Sequence, residues 1–283
     1  MQKHCWAHGD FEVLIWRGGP AMADWRRPKI FSPLPWVSRE KDRGCPFDCG
    51  LCPDHRQRSC SIIVEVAARC DLNCPVCYAD AGREAQDPLI STIAGWFARL
   101  RANGVTGNIQ LSGGEPTQRD DLPRIAALGR EAGFAFIQVN TNGLRLAREA
   151  GYAEVLRRAG VSSIFLQFDG VDDQVYDALR GRALWAEKQA AIRACATAGL
   201  GVVLVPTLVP GVNVGSVGAI LQAALAWYPA VRGVHFQPIS YFGRHPQPPA
   251  LTARLTLPEL MRAIETQTGG GFKARHFKAP GCE

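Results

Sequence analysis

Cys70-Asp71-Leu72-Asn73-Cys74-Pro75-Val76-Cys77 places three thiols at Cys-x3-Cys-x2-Cys spacing. The residues just ahead, Ser61-Ile62-Ile63-Val64-Glu65-Val66, make a short β-branched run that reads as a buried strand. A compact loop then carries the three sulfurs. Three thiolates hold three irons of a four-iron, four-sulfur cluster and leave the fourth iron open to a small molecule, so the arrangement points to chemistry rather than storage. The plainer readings are a zinc site or scattered core cysteines. Zinc in a structural site wants four closed ligands, usually in two paired clusters.

The composition around this loop sets bounds. The chain has 283 residues, 47% hydrophobic and 20% charged, enough for one large α/β domain with a small appendage. No apolar run approaches the roughly 18 residues of a spanning helix. The start, Met1-Gln2-Lys3-His4-Cys5, lacks an apolar signal core. A cytoplasmic, reducing location is expected, where ten cysteines read as metal ligands before disulfides. The net charge of +6 comes from dispersed basic residues, which argues against a nucleic-acid partner.

From residue 61 the pattern alternates between strand and helix. Strand-like runs are 61–66, 108–111, 135–140, 163–168, 202–206 and 234–238. Helix-like stretches lie near 89–102, 121–132, 149–159, 185–198 and 214–226, and a further helix opens at Thr256-Leu257-Pro258-Glu259. Alternation at this period argues for a parallel sheet with helices outside. Six units do not close an eight-stranded barrel, so the expected fold is α/β, a partial (β/α)6 TIM-like barrel. The expected division is a cysteine-rich segment over 1–60, the barrel core over 61–245 and a C-terminal segment over 246–283.

In parallel barrels chemistry collects at the C-terminal ends of the strands. Strand two ends in Ser112-Gly113-Gly114-Glu115-Pro116-Thr117, where paired glycines let backbone approach a ligand and Glu115 can accept from an ammonium. Strand three ends in Asn140-Thr141-Asn142-Gly143, which is also an ordinary turn sequence. Gln167 and Asp169 alternate at the end of strand four and so share a face; in a lumen each needs a ligand or the other. Arg180 reads either as a partner for a ligand carboxylate or as a surface arginine at a helix end. Gln237, Ser240 and Arg244 are polar candidates on the substrate side. Cys195, among Ala and Ile, reads as a buried structural thiol.

The remaining cysteines form a second constellation. Cys45, Cys49 and Cys52 repeat the x3, x2 spacing, and Cys60 supplies a fourth thiol. Four thiolates would close a cluster for electron relay, structural clamping or substrate contact; a zinc knuckle is the alternative. Either would staple a segment with little core of its own. Cys5 with His8 looks like half of a metal knuckle, and Cys282 stands alone at the other end. Both edges are expected to be trimmed relative to relatives.

The 70–77 motif together with Gly113-Gly114-Glu115-Pro116 resembles the radical S-adenosylmethionine (SAM) superfamily, over roughly residues 58–245. The resemblance implies that Cys70, Cys74 and Cys77 hold a [4Fe-4S] cluster whose open iron chelates the amino and carboxylate groups of SAM. Reductive cleavage of SAM would then give a 5′-deoxyadenosyl radical that takes hydrogen from an unactivated carbon. It further implies SAM contacts from Val76, Gly113, Gly114, Glu115, Pro116, Asn140, Gln167, Asp169 and Arg180, with the 205–213 loop near the adenine. The run Gly44-Cys45-Pro46-Phe47-Asp48-Cys49-Gly50-Leu51-Cys52-Pro53-Asp54-His55 narrows the resemblance to the tetraether lipid synthase and methanopterin-type methylase group. That implies C-methylation or C–C bond formation on a lipid or pterin-like small molecule, a second [4Fe-4S] cluster, and a reductant such as ferredoxin or flavodoxin. A peptide-modifying enzyme and a non-enzymatic two-cluster electron carrier are the alternatives.

Overall fold

The computed structural model describes residues 1–25, 37, 40–44, 47, 52–55, 59–82, 86–248 and 250–279. Cys45, Cys49 and Cys282 lie outside that set. At the start, β1 (Gln2–Cys5) and β2 (Gly9–Glu12) pair as a largely exposed antiparallel hairpin, which the weak periodicity of this stretch did not announce.

The sheet that organises the rest comprises β3 (Ser61–Ala67), β4 (Asn108–Gly113), β5 (Ile137–Thr141), β6 (Ser163–Gln167), β7 (Gly201–Val205) and β9 (Val231–Val234). β8 (Thr207–Leu208) and β10 (Gln237–Pro238) form a separate two-stranded pair. The strand order is β3-β4-β5-β6-β7-β9, every pairing parallel. Period-2 alternation decides the faces. Val64, Val66, Ile109, Leu111, Ile137, Val139, Ile164, Leu166, Val202 and Leu204 all enter one core. The opposite, lumen face therefore receives Glu65, Gln110, Ser112, Gln138, Asn140, Phe165 and Gln167.

Helices cover the core face: α1 (Ile90–Ala102), α2 (Leu122–Glu131), α3 (Leu144–Arg148), α4 (Tyr152–Arg158), α6 (Trp185–Ala198) and α7 (Val217–Ala226), whereas α5 (Asp173–Arg180) packs against the thiol loop, Tyr176 with Leu72 and Cys74 and Val175 and Leu179 with Val76. Ile93 and Phe97 of α1 stand one turn apart and are fully buried. Truncating Phe97 to Ala would cost about 3–5 kcal/mol. α8 (Leu257–Gln267) starts where expected, with Thr256 N and Oγ1 both donating to Glu259 Oε2 at 3.0 and 2.7 Å. This is the partial (β/α)6 barrel that the alternation predicts.

Three local expectations change. The last strand is Val231–Val234 rather than 234–238. Pro206 has no N–H and interrupts β7, so the ladder resumes one residue later as β8 beside β10. Gln237 N donates to Pro206 O at 2.9 Å across the break. The helix expected over 149–159 is α4, preceded by a separate α3, because Gly143 (φ 82°) and Gly151 (φ 81°) each turn the chain before a new helix. α5 is an added helix; Asp172 caps it by accepting from Val175 N at 3.1 Å, and Gly181 (φ 77°) ends it. Among the described residues no helix is long and apolar enough to cross a membrane.

Candidate active site

The 70–77 loop leaves the C-terminal end of β3 and is held by side chains from four other segments. Asp71 accepts from Gln118 Nε2 at 3.1 Å and from Asn142 Nδ2 at 2.7 Å. Arg180 Nη1 donates to Val76 O at 2.9 Å. Arg244 donates from Nη1 to Asn73 Oδ1 and, at 3.2 Å, to Cys74 O. The backbone N and O of Arg244 pair with O and N of Cys77, both at 2.8 Å. Arg244 therefore braces the cysteine loop rather than facing substrate. Its approach needs Gly243, where a Cβ would sit 2.3 Å from Tyr78 O.

The thiols sit against an apolar wall. Cys74 is buried with Leu72, Leu144, Tyr176 and Leu184, and the half-buried Cys70 and Cys77 pack on the same group. Burial pushes the Cys70 thiol up to about 12, against the opposing hydrogen bond from Leu72 N. Burial also raises Cys74, with the Arg180 guanidinium pulling the other way. Among the described residues no three His, Cys, Asp or Glu groups converge closely enough for one metal ion. Three thiols within eight residues of one loop, with an apolar wall behind them and the Arg180 guanidinium beside Cys74, fit a polynuclear iron–sulfur cluster.

The glycine pair has a nearer neighbour than any ligand. A Cβ on Gly113 (φ +117°) would lie 1.9 Å from Ala67 O, and one on Gly114 2.2 Å from Arg69 O. Gly114 N and Glu115 N donate to those same carbonyls at 2.6 and 2.7 Å. The close approach is to the chain leading into the cysteine loop. Glu115 is 1% exposed. Its Oε1 accepts from Thr117 N at 3.0 Å and from the hydroxyls of Thr117 and Thr141, both at 2.7 Å. Its Oε2 accepts from Asn142 N at 2.6 Å. Burial raises the Glu115 carboxyl and these donors oppose it. Glu115 thus ties the ends of β4 and β5 together beneath the loop, and Pro116 opens the short turn that carries Gln118.

Asp169 and Arg180 are partners. Arg180 Nε and Nη2 donate to Asp169 Oδ2 and Oδ1 at 2.6 and 2.8 Å, and the two side chains are 8% and 0% exposed. Gln167 Nε2 donates to Asp169 Oδ2, so the two alternating groups answer each other. Thr207 N donates to Asp169 Oδ1 at 3.0 Å, and Asn213 Nδ2 donates to Asp169 O and Thr207 O at 2.9 and 2.8 Å. Arg180 is accordingly not a surface arginine. Burial lowers its pKa, but the charge and hydrogen bonds of Asp169 outweigh that and the net shift is upward. The side chain of Val76 packs with Val175, Leu179 and Val209 in the same region.

Lys188 escaped the sequence reading. It is fully buried, donating to Asn142 O at 2.6 Å and Gln167 Oε1 at 2.8 Å. Burial lowers it to about 8, with Asp169 pulling it up. The signal was present: Lys188 stands on the buried stripe of α6 with Ala191, Ile192, Cys195 and Ala198. Cys195 is a buried thiol, as expected, pushed up to about 12 by burial.

On the lumen face Asn140 Nδ2 donates to Ser112 Oγ at 3.3 Å and Gln110 Oε1 at 3.5 Å, and Gln138 Nε2 donates to Asn140 Oδ1 at 3.2 Å. Of the second constellation, Cys52 is buried and Cys60 is exposed. Cys60 precedes β3 and accepts at its O from Asn108 N at 2.9 Å. It lies at the opposite end of that strand from Cys70. Gln237 and Ser240 are exposed.

The Radical SAM superfamily model matches residues 64–224. Over 281 residues the chain is 37% identical to the 7,8-dihydro-6-hydroxymethylpterin dimethyltransferase of Methanocaldococcus jannaschii, covering 98% of this chain and 55% of that protein. The chain belongs to the radical SAM superfamily. A [4Fe-4S] cluster and SAM are the cofactors of that family, and the thiol loop fits the cluster. The chain is also 40% identical over 124 residues to a GTP 3′,8-cyclase of Edwardsiella ictaluri, covering 43% of this chain and 36% of that one. The chain spans about half the length, or less, of these relatives. Among solved structures, Streptococcus suis SuiB bound to precursor peptide SuiA aligns with a TM-score of 0.61 at 14% identity, over 75% of this chain and 46% of that one. That likeness concerns the fold.

Proposed function

We propose that this radical SAM chain methylates an unactivated carbon of a pterin-like small molecule. The observation that carries the reading is the 37% identity to a pterin dimethyltransferase across 98% of the chain. When bound and reduced, a [4Fe-4S] cluster with SAM supplies a 5′-deoxyadenosyl radical able to abstract hydrogen from carbon. Cys70, Cys74 and Cys77 hold that cluster. Gly113, Gly114, Pro116 and Asn140 line the SAM side of the strand ends. Glu115, Gln167, Asp169 and Arg180 act on SAM through the backbone they position rather than by direct contact. Arg180 in addition places a positive charge beside Cys74, which favours a thiolate there.

Cys45, Cys49, Cys52 and Cys60 hold a second, closed cluster. Cys60 and Cys70 flank opposite ends of β3. A ferredoxin or flavodoxin serves as reductant.

The test incubates the anaerobically reconstituted, reduced protein with 7,8-dihydro-6-hydroxymethylpterin, excess SAM and a reduced one-carbon donor, because the SAM cleaved to 5′-deoxyadenosine leaves as methionine with its methyl and a second donor must supply the transferred carbon. Formation of 5′-deoxyadenosine with a methylated pterin by mass spectrometry is expected. Cleavage of SAM with no pterin product under any reductant would remove the substrate while leaving the radical chemistry. Cys60→Ala should lose pterin turnover but retain some uncoupled cleavage.

A further inference from the structure

We infer that Glu65 is a specificity residue that reads the 2-amino-4-oxopyrimidine edge of a fused heteroaromatic substrate, beside the carboxamides of Gln110 and Gln138. The inference rests on the pterin reading above and deepens it. Pterins share this edge with guanine nucleotides, so the chemistry alone does not choose between those two sources.

Glu65 is the one charged residue in β3, Ser61-Ile62-Ile63-Val64-Glu65-Val66-Ala67. Val64 and Val66 are 6% and 0% exposed in the core, so the carboxylate between them points the other way, into the lumen. It is exposed there and has no hydrogen-bond or ion-pair partner among the described residues. In register beside it stands Ser112, and beside Ile63 stands Gln110. Gln110 opposes Gln138 on the next strand, and Asn140 opposes Phe165 on the one after. The Phe165 ring lies 5.2 Å from that of His235. One side of the lumen is thus a carboxylate with a run of amides, and the other carries two flat rings.

These groups suit one kind of ligand edge. A 2-amino-4-oxopyrimidine presents two parallel N–H donors, from the amino group and the ring nitrogen, and a carbonyl acceptor. A carboxylate accepts the two donors as a fork, in the way it takes a guanidinium. Primary amides supply both donors and acceptors for the carbonyl side. A 2,4-dioxo analogue turns a carbonyl toward the carboxylate and leaves it facing an acceptor, which selects against that ligand. An inward charge on an edge strand also discourages edge pairing, and that role would be indifferent to the ligand.

The test measures equilibrium binding to the anaerobically reconstituted protein for three ligands: 7,8-dihydro-6-hydroxymethylpterin, its 2,4-dioxo counterpart and GTP. The wild type should prefer the 2-amino compound by about tenfold or more. Glu65→Gln should weaken that compound about tenfold and abolish the preference, with iron content and Tm unchanged. Glu65→Asp, which keeps the charge, should recover part of the preference. GTP bound in place of the pterin, with the same loss in Glu65→Gln, supports the edge recognition and identifies the other source. A Glu65→Gln protein that keeps full affinity and preference overturns the role of Glu65 while leaving the pterin reading intact. A wild type that cleaves SAM but binds none of the three removes the pterin reading, and the inference with it.

Discussion

The 70–77 loop and the β1–β2 hairpin both set thiols near other metal-binding groups, and they are built differently. In the hairpin Cys5 Sγ lies 3.2 Å from His8 Nδ1, and His4 Nδ1 lies 2.7 Å from Asp10. Those groups stand on a largely exposed ribbon whose Trp6 is 97% exposed. The 70–77 loop is fastened by Gln118, Asn142, Arg180 and Arg244, and its sulfurs rest on an apolar wall. Ligand spacing is similar in kind; fastening is not. Contacts around a metal site orient its ligands, and for the 70–77 loop they come from segments far away in the chain.

The strongest way to break this comparison is to remove the sulfurs. Replacing Cys70, Cys74 and Cys77 together by Ala should take about four irons per chain from the reconstituted protein and end 5′-deoxyadenosine formation. Cys5→Ala should leave both quantities as they are. A triple variant that keeps the full iron content of the wild type would move the cluster elsewhere.

Next comes the glycine contrast. Gly113→Ala puts a Cβ 1.9 Å from Ala67 O at φ +117°, where the neighbour is backbone and cannot step aside. It should fail to yield folded, cluster-bearing protein. Gly9 also has a positive φ (+80°) but nothing within 4 Å, so Gly9→Ala should cost only about 1–2 kcal/mol and keep its iron. Circular dichroism and iron content read both.

Arg180→Ala strands Asp169 as a buried unpaired charge and releases Val76 O. A loss of about 3–5 kcal/mol in denaturant unfolding is expected, together with faster iron loss to a chelator. Unchanged chelator kinetics would mean that Arg180 stabilises the barrel without bracing the loop.

The smallest effect is a pH dependence from Lys188. Its folded pKa of about 8 lies below the ordinary 10.5. Below pH 8 it is protonated in both states and the cost of burying the charge is present in full. Between pH 8 and 10.5 the unfolded chain binds more protons, so stability rises with pH, and above both values the cost is gone. The Tm of the wild type relative to Lys188→Met should therefore climb across that window. A flat difference would place Lys188 in contact with water.

What the sequence determined by itself was local. The six βα units follow from apolar residues at periods of 2 and about 3.6, and Val64 with Val66 or Ile93 with Phe97 announce their faces without knowing their neighbours. The three-thiol loop was legible for the same reason, since its ligands lie within eight residues. The grip on that loop was not legible. Asn142 reaches Asp71 across 71 residues, and Arg244 reaches Asn73 across 171. Glu115, Gln167, Asp169 and Arg180 were recognised as polar groups at strand ends, but whether each would meet a ligand or one another depended on which ends the barrel brought together. Lys188 sat in an apolar stripe whose partners, Asn142 O and Gln167 Oε1, lie on two other segments. A buried polar group must be paired; its periodicity tells that it is buried, and only the closed sheet decides with what.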